Sequence, residues 1–205
     1  MKKLSVVIVL YNEFDYIKRC IKSVLDEEIE DMELIIIDNN SKKEGFERLK
    51  SHYSKIRFIR NKQNLGFARA ANVGFREALG KFILLLTPDT KVLPGTIKKT
   101  LKFIDDKGDI GAVSCPILSE KGKLQISCFK NFPNLLSHLF EYNIPFYKLT
   151  KYVLGLGYHP IAYSISDHKK ELNPKHMIGA YFMVRKKMLS ELSGFDRNYY
   201  MYREE

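Results

Sequence analysis

Polar side chains that could bind a ligand follow three apolar runs of the sequence. They form the clusters Tyr11–Glu13, Asp38–Ser41 and Thr87–Asp89. A carboxylate at Asp38 could accept hydrogen bonds from a base or a ribose, and Asp89 could ligate a divalent cation that bridges a diphosphate. Residues of these types also form ordinary turns and helix caps. If the three apolar runs are strands of one sheet, the three clusters lie at one edge of it. This placement favours a ligand site over three unrelated turns.

The runs that precede these clusters predict buried parallel strands, because they are apolar without alternation. They are Leu4–Leu10, Leu34–Ile37 and Phe82–Leu86, and weaker strands are predicted at Ile56–Ile59, Ile110–Ser114 and Met177–Val184. Helical spacing predicts helices over Asp15–Asp26, with Asn12 as its cap, and over Lys43–His52, Phe67–Leu79 and Pro94–Ile104. This alternation indicates an α/β fold with a mostly parallel sheet, whose ligands bind beyond the carboxyl ends of the strands.

Composition and the missing motifs narrow the class of protein. The 205 residues carry a net charge of +10 and are 45% hydrophobic, which argues against disorder and favours anionic partners. Neither a GxGxxG motif after the first strand nor a P-loop motif is present. Cys20, Cys115 and Cys128 lack a CxxC pair and are predicted to be buried thiols. No apolar run approaches the roughly 18 residues of a membrane span, so we predict a cytoplasmic protein.

The segment Lys121–His176 is basic and aromatic, with eight Lys, three acidic residues and nine Phe or Tyr. It could be an RNA-binding surface, a membrane-facing patch or the variable acceptor region of the fold. No RRM, KH or helix-turn-helix signature is present, so nucleic acid is not an expected partner. The apolar positions from Phe132 to Phe140 predict an amphipathic helix that either contacts an anionic membrane or packs into the core.

Several segments share a pattern in their order and spacing along the chain. They are Ser5–Asn12, Ile37–Ser41, Asn64–Gly74, Leu84–Thr90, Gly179–Arg185, Gly194–Asp196 and Tyr200–Glu205. Together they resemble family 2 glycosyltransferases of the GT-A fold, and most closely the rhamnosyltransferase-like branch of bacterial surface polysaccharide synthesis. The resemblance implies a single domain over 1–205, with a Rossmann-like nucleotide-binding half at 1–115 and a smaller acceptor half at 116–205. It also implies inverting transfer of a sugar from a UDP- or dTDP-sugar to a hydroxyl of a glycan or lipid-linked acceptor.

Carried over by position, the resemblance assigns nucleotide-sugar binding to nine residues. They are Tyr11, Asn12, Asp38, Asn39, Asn64, Gly66, Asn72, Thr87 and Asp89. Thr87–Asp89 matches the family's DxD metal motif without its first carboxylate, which leaves Asp89 as the ligand of a Mg²⁺ or Mn²⁺ ion. Gly179 and Ala180 fall on the acceptor side.

The resemblance also places a catalytic base at the end of the chain. Glu204 and Glu205 occupy the position of a Glu-Asp pair, and Glu205 aligns with the Asp that removes the proton of the acceptor hydroxyl. Glu204 is the substitute, and two terminal glutamates could equally be solvated. Family members continue beyond this pair into further helices, so we expect a C-terminal truncation.

Two other functions stay open from the sequence. A sugar-nucleotide nucleotidyltransferase would normally carry a Gly-rich loop and a basic residue after the first strand, where this chain has Leu10–Glu13. A truncated or degenerate domain would bind nucleotide sugar without turnover.

Overall fold

The computed structural model describes residues 2–125, 128–130 and 170–199. The chain divides into two compact units, of which the first comprises Met1–Cys115 with Gly179–Glu205 and the second Pro116–Ile178. The candidate bases Glu204 and Glu205 and the predicted amphipathic helix at 132–140 lie outside the described residues. No helix in the described part of the chain combines the length and apolarity needed to cross a membrane.

The described residues form eight strands and five helices. The strands are β1 (Leu4–Leu10), β2 (Met32–Asp38), β3 (Arg57–Arg60), β4 (Phe82–Leu86), β5 (Ala112–Val113), β6 (Phe129–Lys130), β7 (His176–Met177) and β8 (Tyr181–Arg185). The helices are α1 (Phe14–Leu25), α2 (Lys43–His52), α3 (Phe67–Glu77), α4 (Thr96–Asp106) and α5 (Lys186–Leu192).

The first unit is built on one six-stranded sheet with the strand order β3-β2-β1-β4-β8-β5. Strands β1 to β4 are parallel to one another, and β8 runs antiparallel to both of its neighbours. The α/β architecture with a mostly parallel sheet, predicted from the apolar runs, is therefore confirmed. In the second unit, β6 pairs antiparallel with β7, and Leu118 forms an isolated bridge with Leu124.

Alternation of side chains along β1 separates two packed faces of the sheet. Leu4, Val6, Ile8 and Leu10 join a buried cluster with apolar residues of α1 and α4. On the other face, Gly74 of α3 lies so close to Val7 that a Cβ at this position would overlap the Val7 side chain. The backbone O of Gly66, the N-cap of α3, accepts a hydrogen bond from Asn39, so α3 begins near the carboxyl end of β2.

Two local predictions are corrected. Asn12 does not cap α1: the N-cap is Glu13, and the side chain of Asn12 instead accepts a hydrogen bond from the backbone N of Lys42 at 2.9 Å. The strand predicted at Met177–Val184 is interrupted, since β7 ends at Met177 in the second unit and β8 begins at Tyr181 in the first. Residues 179–199, grouped in the sequence with the acceptor half, thus belong to the unit that holds the nucleotide-binding motifs.

Candidate active site

The parallel register brings the ends of four strands to one edge of the sheet. Leu10 pairs with Asp38, Asp38 with Arg60, and Ile8 with Leu86. The polar clusters after β1, β2 and β4 therefore emerge side by side, as expected for a ligand site beyond the carboxyl ends of parallel strands. This edge is the candidate active site.

Asp38 is a fully buried carboxylate at the end of β2. Its Oδ1 accepts a hydrogen bond from the backbone N of Ser41 at 3.1 Å, which fixes the side chain. Its Oδ2 lies 3.4 Å from Nε of Arg60, and no hydrogen bond to Oδ2 comes from any described residue. Asp38 thus keeps one acceptor oxygen for a ligand.

Asn39 is buried, and its side-chain amide holds the loop that precedes α3. Its Nδ2 donates to Oδ1 of Asn64 at 2.7 Å and to the backbone O of Gly66 at 3.3 Å. Its Oδ1 accepts from Nδ2 of Asn61 at 3.1 Å and from the backbone N of Leu65 at 3.0 Å. These four bonds use both donors and both lone pairs of the amide. Asn39 therefore fixes the position of this loop at the candidate site.

Gly66 ends that loop as the N-cap of α3. Its φ of 80° is in the left-handed region, which a residue with a Cβ rarely adopts. The backbone N of Gly66 donates to Oδ1 of Asn64 at 2.9 Å. Asn64 and Gly66 thus lie together in one loop, as the sequence predicts.

Asn72 on α3 is buried and faces the turn before Arg197 rather than the edge of β1. Its Nδ2 donates to the backbone O of Phe195 at 2.8 Å, and its Oδ1 accepts from the backbone N of the same residue at 2.8 Å. Gly194, at φ 83°, leaves the space that this contact needs. The structure therefore uses Asn72 to hold the chain segment 194–196.

The turn after β4 presents Asp89 to solvent. The backbone O of Ala180 accepts hydrogen bonds from the backbone N of Thr87 at 3.4 Å and from Oγ1 of Thr90 at 3.1 Å, and the two threonine hydroxyls are 2.9 Å apart. Thr87 and Ala180 thus anchor the turn, with buried Gly179 next to Ala180 at the start of β8. Asp89 itself forms no ion pair with a described residue and is exposed.

The negative charge of Asp89 affects the pKa of side chains on α1 and at its N-cap. Desolvation and then the negative charge of Asp89 raise the pKa of Glu13. Burial and, to a lesser extent, the same charge raise the pKa of Cys20 to about 12. The carboxylate oxygen atoms of Asp89 are hard ligands that suit Mg²⁺ or Mn²⁺.

No group of three or more His, Cys, Asp or Glu that could hold a metal ion is found among the described residues. A cation at Asp89 would need oxygen atoms from a ligand, and the phosphates of a nucleotide diphosphate would supply them. The residues present thus fit a cation that binds together with its nucleotide.

A comparison with protein families bears on one of the functions left open by the sequence. The model of the family described as Glycosyl transferase family 2 matches residues 5–193. The chain belongs to glycosyl transferase family 2. This membership argues against the nucleotidyltransferase alternative.

Relatives of this family 2 chain include proteins of known and unknown role. An uncharacterized glycosyltransferase of Methanocaldococcus jannaschii is 35% identical over 52% of the chain and 39% of the relative. The minor teichoic acid biosynthesis protein GgaB of Bacillus subtilis is 31% identical over 58% of the chain and 14% of GgaB. The chain thus spans well under half the length of these curated relatives.

Solved structures confirm the fold of this family 2 chain. A mannosyltransferase of Pyrobaculum calidifontis, in complex with GDP-Man and Mn²⁺, matches with a TM-score of 0.65 at 15% identity, over 97% of the chain and 49% of that protein. S. aureus TarS in complex with UDP matches with a TM-score of 0.63 at 17% identity, over 98% and 52%. The predicted GT-A fold is confirmed.

Sequence reasoning missed two charged residues of the family 2 site. Glu13 lies in the cluster after β1 but was given no role, although its pKa responds to Asp89. Arg60 ends β3 and lies beside Asp38. The sequence signal that could have identified Arg60 is its position, since a charged residue at the carboxyl end of a neighbouring parallel strand falls on the same edge of the sheet.

Proposed function

We propose that this family 2 glycosyltransferase moves a sugar from a UDP- or dTDP-sugar to a hydroxyl of a glycan or lipid-linked acceptor in cell-surface polysaccharide synthesis. The transfer inverts the anomeric centre and depends on Mg²⁺ or Mn²⁺. The motif resemblance favours the rhamnosyltransferase-like branch. The printed names of relatives, a teichoic acid protein and TarS with UDP, are consistent with this substrate class.

The observation that carries the proposal is the placement of two carboxylates at one sheet edge. Asp38 follows β2 and Asp89 follows β4, and β1 lies between these strands. Two strand spacings, about 10 Å, separate β2 from β4. Asp38 is buried with a free acceptor oxygen, which suits a base, while Asp89 is exposed, which suits a hydrated cation and phosphates. One nucleoside diphosphate is long enough to reach both.

Different residues of the chain bind the nucleoside, position the loop before α3 and hold the cation. Asp38 and the half-exposed Tyr11 bind the nucleoside, and Asn39 and Asn64 position the loop before α3. Asp89 holds the cation, which when bound offsets the negative charge on the leaving diphosphate. The Thr87–Thr90 contact keeps Asp89 at the edge.

Glu205 is the proposed base, on the strength of the motif resemblance alone. It accepts the proton of the acceptor hydroxyl while the hydroxyl oxygen bonds to C1 of the sugar. The bond from C1 to the diphosphate oxygen breaks at the same time, and the diphosphate leaves with the electron pair. Gly179 and Ala180 lie on the side from which the acceptor enters.

A transfer assay by mass spectrometry, with a panel of UDP-, dTDP- and GDP-sugars, tests the proposal. Glu205→Gln keeps the shape of the side chain but cannot take the proton, so transfer falls by roughly 10² to 10⁴ while donor affinity barely changes. Glu204→Gln is the control and has a milder effect. Donor binding without any transfer by the wild type would instead indicate a domain that binds nucleotide sugar without turnover.

The basic segment Lys121–His176 binds this enzyme to the cytoplasmic face of the membrane. Each Lys near an anionic surface contributes about 1 kcal/mol of binding free energy, and the segment carries eight. Flotation with anionic and neutral vesicles at low ionic strength tests this contact, and equal recovery with both would contradict it.

A further inference from the structure

Two buried polar atoms at the candidate site have no hydrogen-bond partner in the described chain. They are Oδ2 of Asp38 and Nη1 of Arg60. Such atoms are uncommon in folded proteins, because a buried polar group without a partner is unfavourable. Here the two orphaned atoms belong to neighbouring side chains, one an acceptor and the other a donor.

The guanidinium of Arg60 lies over Asp38 without satisfying it. Its Nε is 3.4 Å from Oδ2 of Asp38, and its Nη2 donates to the backbone O of Ser41 at 2.6 Å. The guanidinium carbon is 4.8 Å from the centre of the Phe46 ring. Arg60 remains 30% exposed, whereas Asp38 is fully buried and fixed by Ser41. Arg60 is therefore the partner that can turn aside to admit a ligand.

The hydrogen-bonding chemistry of these two groups limits which ligand can satisfy both atoms at once. Ionised Asp38 only accepts hydrogen bonds, and Arg60 only donates them. A ligand edge that fits must carry an N–H beside a carbonyl oxygen. The N3–H and O4 of uracil or thymine form such an edge, as do the N1–H and O6 of guanine, and the proposed UDP- or dTDP-sugar donor carries one of the first two bases. Cytosine bound in the same position would place its amino group against Arg60 and the lone pair of its ring nitrogen against Asp38.

We propose that Arg60 is a specificity residue for the donor base, donating from Nη1 to a uracil or thymine carbonyl while Oδ2 of Asp38 accepts the adjacent ring N–H. The inference rests on the proposed function, because it assumes that the nucleotide of the donor binds at this edge. It adds a second residue that selects the base, since Arg60 disfavours the amino group of cytosine while Asp38 disfavours its ring lone pair.

Calorimetry with UDP and CDP in the presence of Mn²⁺ tests the role of Arg60. The wild type is expected to bind UDP about 10- to 100-fold more tightly than CDP, the usual discrimination of a paired donor and acceptor. Arg60→Gln should reduce this ratio about tenfold, since a Gln amide can turn to donate or to accept, while Asp38 still disfavours the ring lone pair of cytosine. Arg57→Gln is the matched control, because Arg57 begins the same strand, pairs with Glu77 and should leave the ratio unchanged.

A second ligand keeps the test independent of whether Arg60→Gln folds. N3-methyl-UDP lacks the ring N–H, so the wild type should bind it about as weakly as CDP. An unchanged UDP to CDP ratio in folded Arg60→Gln, or equal wild-type affinity for UDP and N3-methyl-UDP, would overturn the inference and leave the proposed function intact. Absence of UDP binding by the wild type would contradict both.

Discussion

Two buried asparagines show how the site is held at the scale of single residues. Asn39 and Asn72 both resemble ligand-binding residues in the sequence, yet their amides bind protein groups. Asn39 holds the loop around Asn64, and Asn72 holds the backbone of Phe195. The partner of Asn72 is 123 residues away in the chain. No local pattern can reveal such a bond. The contact between Asn72 and Phe195 therefore could not be predicted from the sequence.

Asn72→Ala should destabilise the fold by about 2 to 4 kcal/mol, because the buried backbone N–H and C=O of Phe195 both lose their partner. Chemical denaturation followed by circular dichroism measures the free energy of unfolding. Asn198→Ala is the control, since Asn198 is exposed and, among the described residues, only its backbone N is bonded, and it should cost about 0.5 kcal/mol or less. Equal losses in the two variants would show that the Asn72 contact is unimportant.

Cys20 offers a chemical probe of the turn that carries Asp89. Its thiol is buried and contacts the backbone O of Thr87 at 3.8 Å, and its pKa is raised to about 12 from 9.0. The folded thiol thus stays protonated at mildly alkaline pH, where the thiolate is the species that alkylates. Stability is unaffected by this group below about pH 9 and falls as the pH rises from there toward 12, because the unfolded thiol ionises first.

We therefore expect iodoacetamide to leave Cys20 unmodified in the folded chain and to label it after unfolding in urea. Peptide mass spectrometry reads both states, and partly buried Cys115 serves as the internal comparison. Labelling of Cys20 as fast as Cys115 in the native state would mean that the turn opens readily.

At the scale of elements, α4 depends on a carboxylate from another part of the chain. Glu27 follows α1 and is buried, and its Oε1 accepts from the backbone N of Gly95 at 2.5 Å while Oε2 accepts from that of Lys98 at 3.3 Å. These N–H groups belong to the N-terminus of α4, where they lack partners within the helix. A negative charge there also interacts favourably with the helix dipole.

Glu27→Ala should lower the free energy of unfolding by about 1 to 3 kcal/mol, since it leaves the N-terminus of α4 without its buried acceptor. Glu27→Gln keeps one acceptor oxygen and should cost less. Thermal denaturation of both is compared with Glu30→Ala, which removes an exposed carboxylate nearby. A loss in Glu30→Ala as large as that in Glu27→Ala would assign the effect to net charge.

The elements themselves were predictable to different degrees. The strands at Leu4–Leu10 and Phe82–Leu86 and the helix at Lys43–His52 match the sequence prediction residue by residue. Their apolar patterns end at turn residues, so both type and bounds are encoded locally. The strand predicted at Ile110–Ser114 shrinks to Ala112–Val113, because its length is set by pairing with β8, which is distant in sequence.

At the scale of the whole molecule, the sheet edge was predictable because parallel strands end together. Strand order was not, since β8 enters the sheet between β4 and β5 from the far end of the chain. This insertion places Ala180 against the Thr87 turn and so supports Asp89. The composition predicts a partner of negative charge, whereas the edge itself carries two carboxylates, Asp38 and Asp89, so we propose that a cation binds with this partner.

We propose that this edge binds a nucleotide diphosphate together with a cation held by Asp89. Isothermal titration of UDP in Mn²⁺ and in EDTA measures it most directly, with Asp89→Asn as the test variant and exposed Asp109→Asn as the control. We predict that Mn²⁺ raises the wild-type and Asp109→Asn affinities by about tenfold or more, and that Asp89→Asn abolishes the gain. Equal wild-type affinity in Mn²⁺ and EDTA, or a gain that persists in Asp89→Asn, would contradict the account.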